Sequence, residues 1–242
     1  MAAERVETNV LASGADERAL LVAAIESSAA DGTVRLLEAG CGNHWTLKPQ
    51  GVRLRVTGID LDAHAMRIRQ EVHGDLDEAI VGDLHDVAIP EAAFDVVYCS
   101  YVLEHLEDAE RVLDRLRAAV RPGGRLVLRM PDRDSVFGWA ARHTPHRTHV
   151  WFKRYVERQK DAGKPGHAPY PVVYDEVVSV RGMRDWSARH GLTVETEYAS
   201  NQFIRSFGPL GPLVQQLLNV VSRLSGGRLS AGWNNIGYVL VV

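Results

Sequence analysis

The chain has 242 residues, of which 45% are hydrophobic and 24% are charged, and its formal net charge at pH 7 is -3. This composition is ordinary for a globular domain and excludes a disordered or fibrous protein. The length predicts one α/β domain over residues 1–242 with a small insertion rather than two independent domains. The weak negative charge gives no global basic field, so nucleic acid would need a local patch.

The N-terminus and the cysteines carry two further expectations. MAAERVETN has acids where a signal peptide needs a basic start, and no run of about 18 apolar residues occurs. We therefore expect a cytoplasmic protein with no membrane partner. Cys41 and Cys99 lie far apart in the sequence, which favours neither a disulfide framework nor a CxxC metal site.

Helices and strands alternate from residue 16 to residue 131. Apolar residues at helical spacing predict helices at 16–29, 62–72 and 107–120. Short apolar runs predict strands at 33–40, 53–60, 79–83, 94–100 and 125–131. Strands that alternate with helices indicate a parallel sheet with helices on both faces.

The alternation stops after Pro131. Residues 132–180 are too long for an ordinary connection and are interpreted as a substrate-recognition insertion or lid. A helix at 183–191 and strands at 192–200 and 235–242 follow. Between these strands, residues 201–233 form a helical insertion with one apolar face, which would pack on the core or on a partner subunit.

Glycines and acids stand where three predicted strands end. Gly40 and Gly42 follow the first strand, Asp60 ends the second and Asp83 ends the third. Glycines let the chain turn tightly and let a ligand approach the backbone, and an acid about 20 residues on can accept hydrogen bonds from ribose hydroxyls. Ligands of open α/β sheets bind at the carboxyl ends of the strands, so the pattern predicts a nucleoside pocket. Glu38 would repel a diphosphate but suits a ligand that carries an ammonium and a sulfonium.

These residues make the sequence resemble the class I S-adenosylmethionine-dependent methyltransferases, closely over residues 33–131. LLEAGCGN looks like the first motif of that family, GIDLD like its ribose-binding acid, and RPGGRLVLRMP like its fifth strand. VGDLHDVAIPEAAFDVVYCSYVLEHLED looks like the adenine-binding acid with the fourth strand. The resemblance implies S-adenosyl-L-methionine as cofactor and an α/β fold, a doubly wound, seven-stranded, mostly parallel sheet. It also implies that the last two strands pair as a hairpin and that the insertion after strand five recognises the substrate.

The resemblance further implies which residues bind the cofactor. Glu38 would lie near the methionine ammonium, Gly40 and Gly42 under the methionine backbone, and Asp60 on the ribose. Leu61 would lie against the adenine, and Asp83 with Leu84 would lie at the adenine edge. Cys99 and Ser100 would lie beneath the methionine. The third glycine common in the family's motif is His44 here.

A histidine-rich stretch, RHTPHRTHVWFKRY at residues 142–155, lies inside the insertion. It has three interpretations, which are a metal site, a catalytic base with substrate anchors, and a solvated basic helix. Pro145 favours a helix start with Thr144 as its cap, which leaves only His146 and His149 on one face. No cysteine is near to complete a ligand set, so we predict no metal.

Methyl transfer to a hydroxyl group needs a base, and histidine, with an ordinary pKa of about 6.5, suits that role. His146 and His149 are candidates, and His105 in YVLEHLED is a third. The alternative for His105 is a residue of the first helical turn that covers the cofactor without acting as a base. The leading interpretation is O-methylation of a sugar-containing or carboxylated small molecule from secondary or cell-envelope metabolism, with arginines holding an anionic group and no nucleic-acid partner. The alternatives are RNA or protein methylation, and a repurposed cofactor-binding protein without methyl transfer. A homodimer is considered, but the sequence leaves the oligomeric state open.

Overall fold

The computed structural model describes residues 8–155, 158–164, 169–201, 203–204 and 207–242. The strands are β1 (Asn9–Leu11), β2 (Thr33–Ala39), β3 (Arg53–Asp60), β4 (Glu78–Val81), β5 (Phe94–Ser100), β6 (Val120–Pro131), β7 (Thr193–Ser200) and β8 (Asn235–Val241). The helices are α1 (Gly14–Glu26), α2 (Ala63–Arg67), α3 (Ala109–Ala119), α4 (Val136–His143), α5 (His146–Tyr155), α6 (Val180–Arg189) and α7 (Gly211–Leu224).

The strands form one sheet in the order β1-β7-β8-β6-β5-β2-β3-β4. Neighbouring strands are parallel except at β8, which runs antiparallel to both β6 and β7. The doubly wound, mostly parallel fold and the terminal hairpin are confirmed. The predicted count of seven strands is wrong, because β1 adds an eighth strand through three residue pairs with β7. Three residues are too few to show a strand period in sequence.

The central strands are apolar because helices cover both faces of the sheet. In β5, six of the seven residues are buried. Leu113 of α3 and Trp186 of α6 belong to the core on one face. Leu21 and Ile25 of α1 belong to the core on the other. Both cores include residues of β2 and β5, the strands whose carboxyl ends border the predicted pocket.

The chain after β3 departs from the single helix predicted at 62–72. Helix α2 ends at Arg67 and continues as a π-helical turn at Ile68–His73. This turn brings the side chain of Arg69 into the interior, where none of it is exposed. π-helical turns are rare and occur often at functional sites.

Both insertions contain helices in their described residues, α4 and α5 in the first and α7 in the second. Ser135 caps α4 by accepting a hydrogen bond from the Gly138 N–H, and α5 begins directly after Pro145. The hydroxyl of Thr144 donates to the Ala140 carbonyl of α4, and its role as the cap of α5 stays a prediction.

Helix α7 buries only part of its apolar surface. Leu218 is buried, whereas Leu213, Leu217, Val220 and Leu224 are exposed, as is Leu210 in the 3₁₀ turn before the helix. Within the described ranges, none of the helices has the length and apolar character needed to cross a membrane.

Candidate cofactor and acceptor site

A cavity of about 620 Å³ opens at the carboxyl edge of β2, β3 and β5. Seven of the residues singled out in the sequence line it, namely Gly40, Gly42, Asp60, Leu61, Asp83, Leu84 and His105. Other lining residues include Asn43, Asp62, Tyr101, Val102, Leu106, Tyr170 and Pro171. The volume is in the range of small-molecule sites.

The glycine loop after β2 forms the floor of this cavity. Gly40 has φ of +70° and Gly42 has φ of +57°, a region that favours glycine. A Cβ atom on Gly40 would overlap a methyl group of Val102, whereas nothing lies within 4 Å of a Cβ on Gly42. The Gly40 N–H donates to the Ile59 carbonyl at 2.8 Å, which ties the loop to β3. The loop therefore presents bare backbone to the cavity.

The carboxylate of Asp60 fixes the edge of the cavity between the loop and α2. Its two oxygens accept hydrogen bonds from the backbone N–H groups of Gly42 at 2.8 Å and Asp62 at 2.9 Å. Asp62 in turn caps α2 by accepting from the His64 N–H. Asp60 thus holds the glycine loop in place while its side chain still lines the cavity.

Asp83 at the end of β4 is paired with a histidine that was not singled out in the sequence. Its Oδ1 lies 2.7 Å from Nδ1 of His85, whose Nε2 lies 2.6 Å from the Glu107 carbonyl. Both ring nitrogens face acceptors, so the pKa of His85 is raised, first by the Glu107 carbonyl and then by Asp83. The hydrogen bonds from His85 also lower the pKa of Asp83.

Glu38 lies behind the glycine loop and does not line the cavity. Its carboxylate accepts a hydrogen bond from Nη2 of Arg69 at 2.8 Å. Arg69 also donates to Asp75 at 2.7 Å and to the Cys41 carbonyl at 2.8 Å. Burial raises the pKa of Glu38 to about 7, against the opposing effect of Arg69. Arg69 therefore braces the loop from beneath, a role that no sequence pattern indicates.

Cys99 and Ser100, at the end of β5, also lie outside the cavity lining. Cys99 is fully buried, and burial raises the pKa of its thiol. Ser100 lies 3.4 Å from Nη1 of Arg129, which forms a buried ion pair with Glu17 at 3.0 Å. The Arg129 guanidinium also sits 5.0 Å from the ring centre of Tyr101, the lining residue that follows β5. This support holds Tyr101 at φ of +56°, where a non-glycine residue is uncommon.

His105 ends the 3₁₀ turn Leu103–His105 and is the one candidate base that lines the cavity among the described residues. Its Nδ1 lies 2.7 Å from the Pro171 carbonyl, so Nδ1 carries a proton and Nε2 is left as the acceptor. Burial lowers the pKa of His105, and the bond to Pro171 opposes that effect. The Tyr170 ring packs edge-on against the imidazole with centroids 5.9 Å apart.

His146 and His149 lie on α5, which has no buried residue. Their rings are 6.1 Å apart, and Nε2 of His149 lies 2.8 Å from the Thr144 hydroxyl. Neither residue belongs to the described lining of the cavity. In the described ranges, no group of three or more His, Cys, Asp or Glu side chains is arranged to hold a metal ion.

Comparisons with known proteins agree with this geometry. A family model described as a methyltransferase domain matches residues 8–197. The ubiquinone biosynthesis O-methyltransferase of Xylella fastidiosa (strain M23) is 30% identical over 182 residues, which cover 67% of this chain and 70% of that protein. The chain spans only 31% to 41% of the length of several other curated relatives.

Two solved structures share the fold. An S-adenosylmethionine-dependent methyltransferase from Mesorhizobium loti is 16% identical with a TM-score of 0.52, covering 91% of this chain and 96% of that one. The [4+2]-cyclase SpnF is 16% identical with a TM-score of 0.55, covering 98% of this chain and 88% of that one. The chain belongs to the class I S-adenosylmethionine-dependent methyltransferases, and S-adenosyl-L-methionine is its cofactor. The bare glycine loop and the adjoining Asp60 carboxylate fit that cofactor.

Proposed function

We propose that this methyltransferase acts on an oxygen atom of a small molecule, with His105 as the general base. The observation that carries the proposal is that His105 lines the same cavity as the glycine loop and Asp60. A neutral imidazole with Nδ1 bonded to Pro171 leaves Nε2 free to accept a proton from a hydroxyl group. The lowered pKa of His105 keeps the ring unprotonated near neutral pH.

We further propose that the six other sequence-selected residues that line the cavity contact the cofactor. The bound cofactor supplies an activated methyl group. The chain's own work is then alignment, which can contribute roughly 7–11 kcal/mol when reacting atoms are held in line. Glu38, Cys99 and Ser100 are assigned to the layer beneath, where Arg69 bonds to Glu38 and Arg129 bonds to Ser100.

The acceptor class rests on two kinds of support. The name of the Xylella fastidiosa relative specifies O-methylation, which favours oxygen as the nucleophile. The insertion carries a surplus of cationic side chains, and α5 exposes Arg147 and Arg154, which would hold an anionic group. We therefore propose a sugar-containing or carboxylated acceptor that enters from the insertion side. His146 and His149 stay predictions as alternative bases.

The test is transfer of label from S-adenosylmethionine to a panel of hydroxylated metabolites, with and without carboxylate groups, read by mass spectrometry. We expect methyl ethers or esters of one acceptor class, and loss of product in His105→Gln with cofactor affinity kept. Absence of cofactor binding in calorimetry would contradict the proposal at its first step, and products methylated only at nitrogen would contradict the choice of oxygen.

A second candidate is a binding fold that uses the cofactor without methyl transfer. The likeness to the [4+2]-cyclase SpnF favours it, since that protein's name describes a reaction other than methylation. Cofactor binding without release of S-adenosylhomocysteine, on any acceptor of the panel, would favour this candidate.

RNA or protein methylation is favoured only by the exposed cationic face of α5. Affinity for RNA through that face would fall steeply as salt concentration rises, and an RNA affinity that salt leaves unchanged would count against it. The cytoplasmic location stays a prediction. The homodimer also stays a prediction, which sedimentation velocity would check.

A further inference from the structure

Glu104 carries a buried carboxyl group that the proposed reaction does not use. It is 4% exposed, and within the described ranges its Oε2 has no hydrogen-bond partner. Its Oε1 lies 3.7 Å from Nε2 of His105. The backbone carbonyl of Glu104 accepts hydrogen bonds from the N–H groups of Val173 and Tyr174, which fixes the turn against the insertion. A buried polar atom without a partner is costly and calls for an explanation.

Among the residues that the structure describes, no arginine or lysine is paired with this carboxyl. Titratable side chains that face it come from β5, from the turn after β5 and from the insertion, namely Cys99, Tyr101, His105 and Tyr174. Beyond these lie Arg129, Arg142 and Asp132, which interact with the two tyrosines. Arg129 is already paired with Glu17. Burial therefore raises the pKa of Glu104 to about 8, so the carboxyl is mostly protonated at neutral pH.

Glu104 lies behind the described lining of the cavity, next to residues that belong to that lining. Both His105 and Tyr101 line the cavity, and both contact or face the carboxyl. Cys99 also lies outside that lining, and the family resemblance places the methionine part of the cofactor above it, at the end of β5. A buried acid beside that end of the cavity would be stabilised as an anion by a positive charge placed there.

We propose that Glu104 is the counterion of the cofactor's sulfonium, protonated in the free protein and ionised when S-adenosylmethionine binds. This inference rests on the cofactor-binding part of the proposed function and not on the identity of the acceptor. S-adenosylhomocysteine has no sulfonium charge, so its binding leaves Glu104 protonated. The protein thereby distinguishes the cofactor from its demethylated product by charge.

The proton balance of methyl transfer follows directly. Binding sends one proton from Glu104 to solvent. During transfer the carbon–sulfur bond breaks, a carbon–oxygen bond forms, and the hydroxyl proton of the acceptor goes to His105. Because the positive charge on sulfur then disappears, that proton passes from His105 to Glu104, 3.7 Å away. The protein returns to its starting protonation state.

The experiment is isothermal titration calorimetry at pH 7 in phosphate and in Tris, whose ionisation enthalpies differ. For the wild type we expect release of roughly 0.4–0.8 proton per S-adenosylmethionine, beyond that for S-adenosylhomocysteine, if the pKa of Glu104 falls from about 8 by about 1–2. S-adenosylhomocysteine carries the same amino and carboxyl groups as S-adenosylmethionine and is therefore the matched ligand control. Affinity for S-adenosylmethionine should rise about tenfold from pH 6 to pH 9, with a smaller change for the product.

Glu104→Gln should abolish the difference in proton release, and Glu107→Gln, an exposed glutamate three residues on, should keep it. Carboxyl ¹³C resonances of the labelled wild type give a measurement that needs no variant, since one glutamate should ionise with S-adenosylmethionine and not with S-adenosylhomocysteine. Equal proton release for the two ligands, or no ionising glutamate, would overturn the inference while leaving cofactor binding intact. Failure to bind either ligand would overturn the inference and the cofactor site together.

Discussion

The cavity wall and helix α5 both carry histidines and charged side chains, yet they hold them in different ways. In the wall, Asp60 accepts hydrogen bonds from the backbone N–H groups of Gly42 and Asp62. His105 is fixed by a hydrogen bond to the backbone carbonyl of Pro171. On α5, no residue is buried, and His149 bonds to the neighbouring Thr144. Strand ends converge because the sheet is parallel, whereas the direction of a surface helix depends on contacts that are distant in sequence.

The largest effect is expected from replacing the base, which tests whether catalysis belongs to the wall or to α5. His105→Gln should lower kcat by about 10²- to 10⁴-fold, the usual contribution of a general base. His149→Gln should change kcat by less than about threefold, because its Nε2 is engaged with Thr144 outside the described cavity. Steady-state kinetics with the identified acceptor measure both. If His149→Gln lowered kcat more than His105→Gln did, the general base would be His149 of the insertion.

The pH profile sharpens the same comparison. Because burial lowers the pKa of His105, the imidazole becomes an active base as pH rises through a value below the ordinary 6.5 or so. Wild-type kcat/KM, which reports the groups of the free enzyme, should therefore increase with pH in that acidic range, and the increase should vanish in His105→Gln.

The glycine loop provides the next effect, with a matched pair of substitutions. Gly40→Ala combines a left-handed φ with overlap against Val102, so we expect a loss of about 2–4 kcal/mol in unfolding free energy and a much weaker cofactor affinity. Gly42→Ala has the same φ region but open space around the new methyl, and should cost only about 1–2 kcal/mol. Urea denaturation and calorimetry provide the measurements. Equal losses would show that backbone conformation, and not the contact with Val102, controls the loop.

Much of this wall could be predicted from sequence, for a topological reason. Parallel strands end at the same edge, so Gly40, Asp60 and Asp83 are brought together once each strand is recognised. The burial of Arg69 and Glu104 could not be predicted in that way. Arg69 reads as one polar position of an ordinary helix, and only the π-helical turn directs it inward. Glu104 reads as a turn residue, and its burial depends on packing by a segment about 70 residues later.

The insertion was predicted as a unit, but for Tyr170 the sequence favours a plain surface loop over a loop that closes on the pocket. The sequence places Tyr170 on a loop, and the path of that loop over the 3₁₀ turn is set by hydrogen bonds to His105 and Glu104. Strand β1 was missed because its pairing with β7 joins residues nearly 190 positions apart. Neither contact leaves a periodic pattern in the chain.

The Asp60 carboxylate offers an intermediate effect within the wall. Asp60→Asn keeps the size but leaves one acceptor oxygen for two backbone donors, those of Gly42 and Asp62. Hydrogen bonds to charged groups contribute about 1.5–3 kcal/mol, so cofactor affinity should fall about ten- to hundredfold. Asp86→Asn, an exposed acid away from the cavity lining, should leave affinity unchanged. A similar loss in both variants would point to a general charge effect instead.

The smallest effect is expected where the insertion touches the wall, and it tests how far the two regions act together. Tyr170 is 48% exposed, lines the cavity and packs edge-on against His105. Such an aromatic contact contributes about 0.5–1.5 kcal/mol, so Tyr170→Ala should weaken cofactor affinity only about two- to tenfold. Tyr170→Phe keeps the ring and should match the wild type in calorimetry. If the alanine variant lost binding altogether, the insertion would belong to the cofactor site as fully as the strand ends do. If it lost nothing, the two regions would meet at His105 without sharing the cofactor.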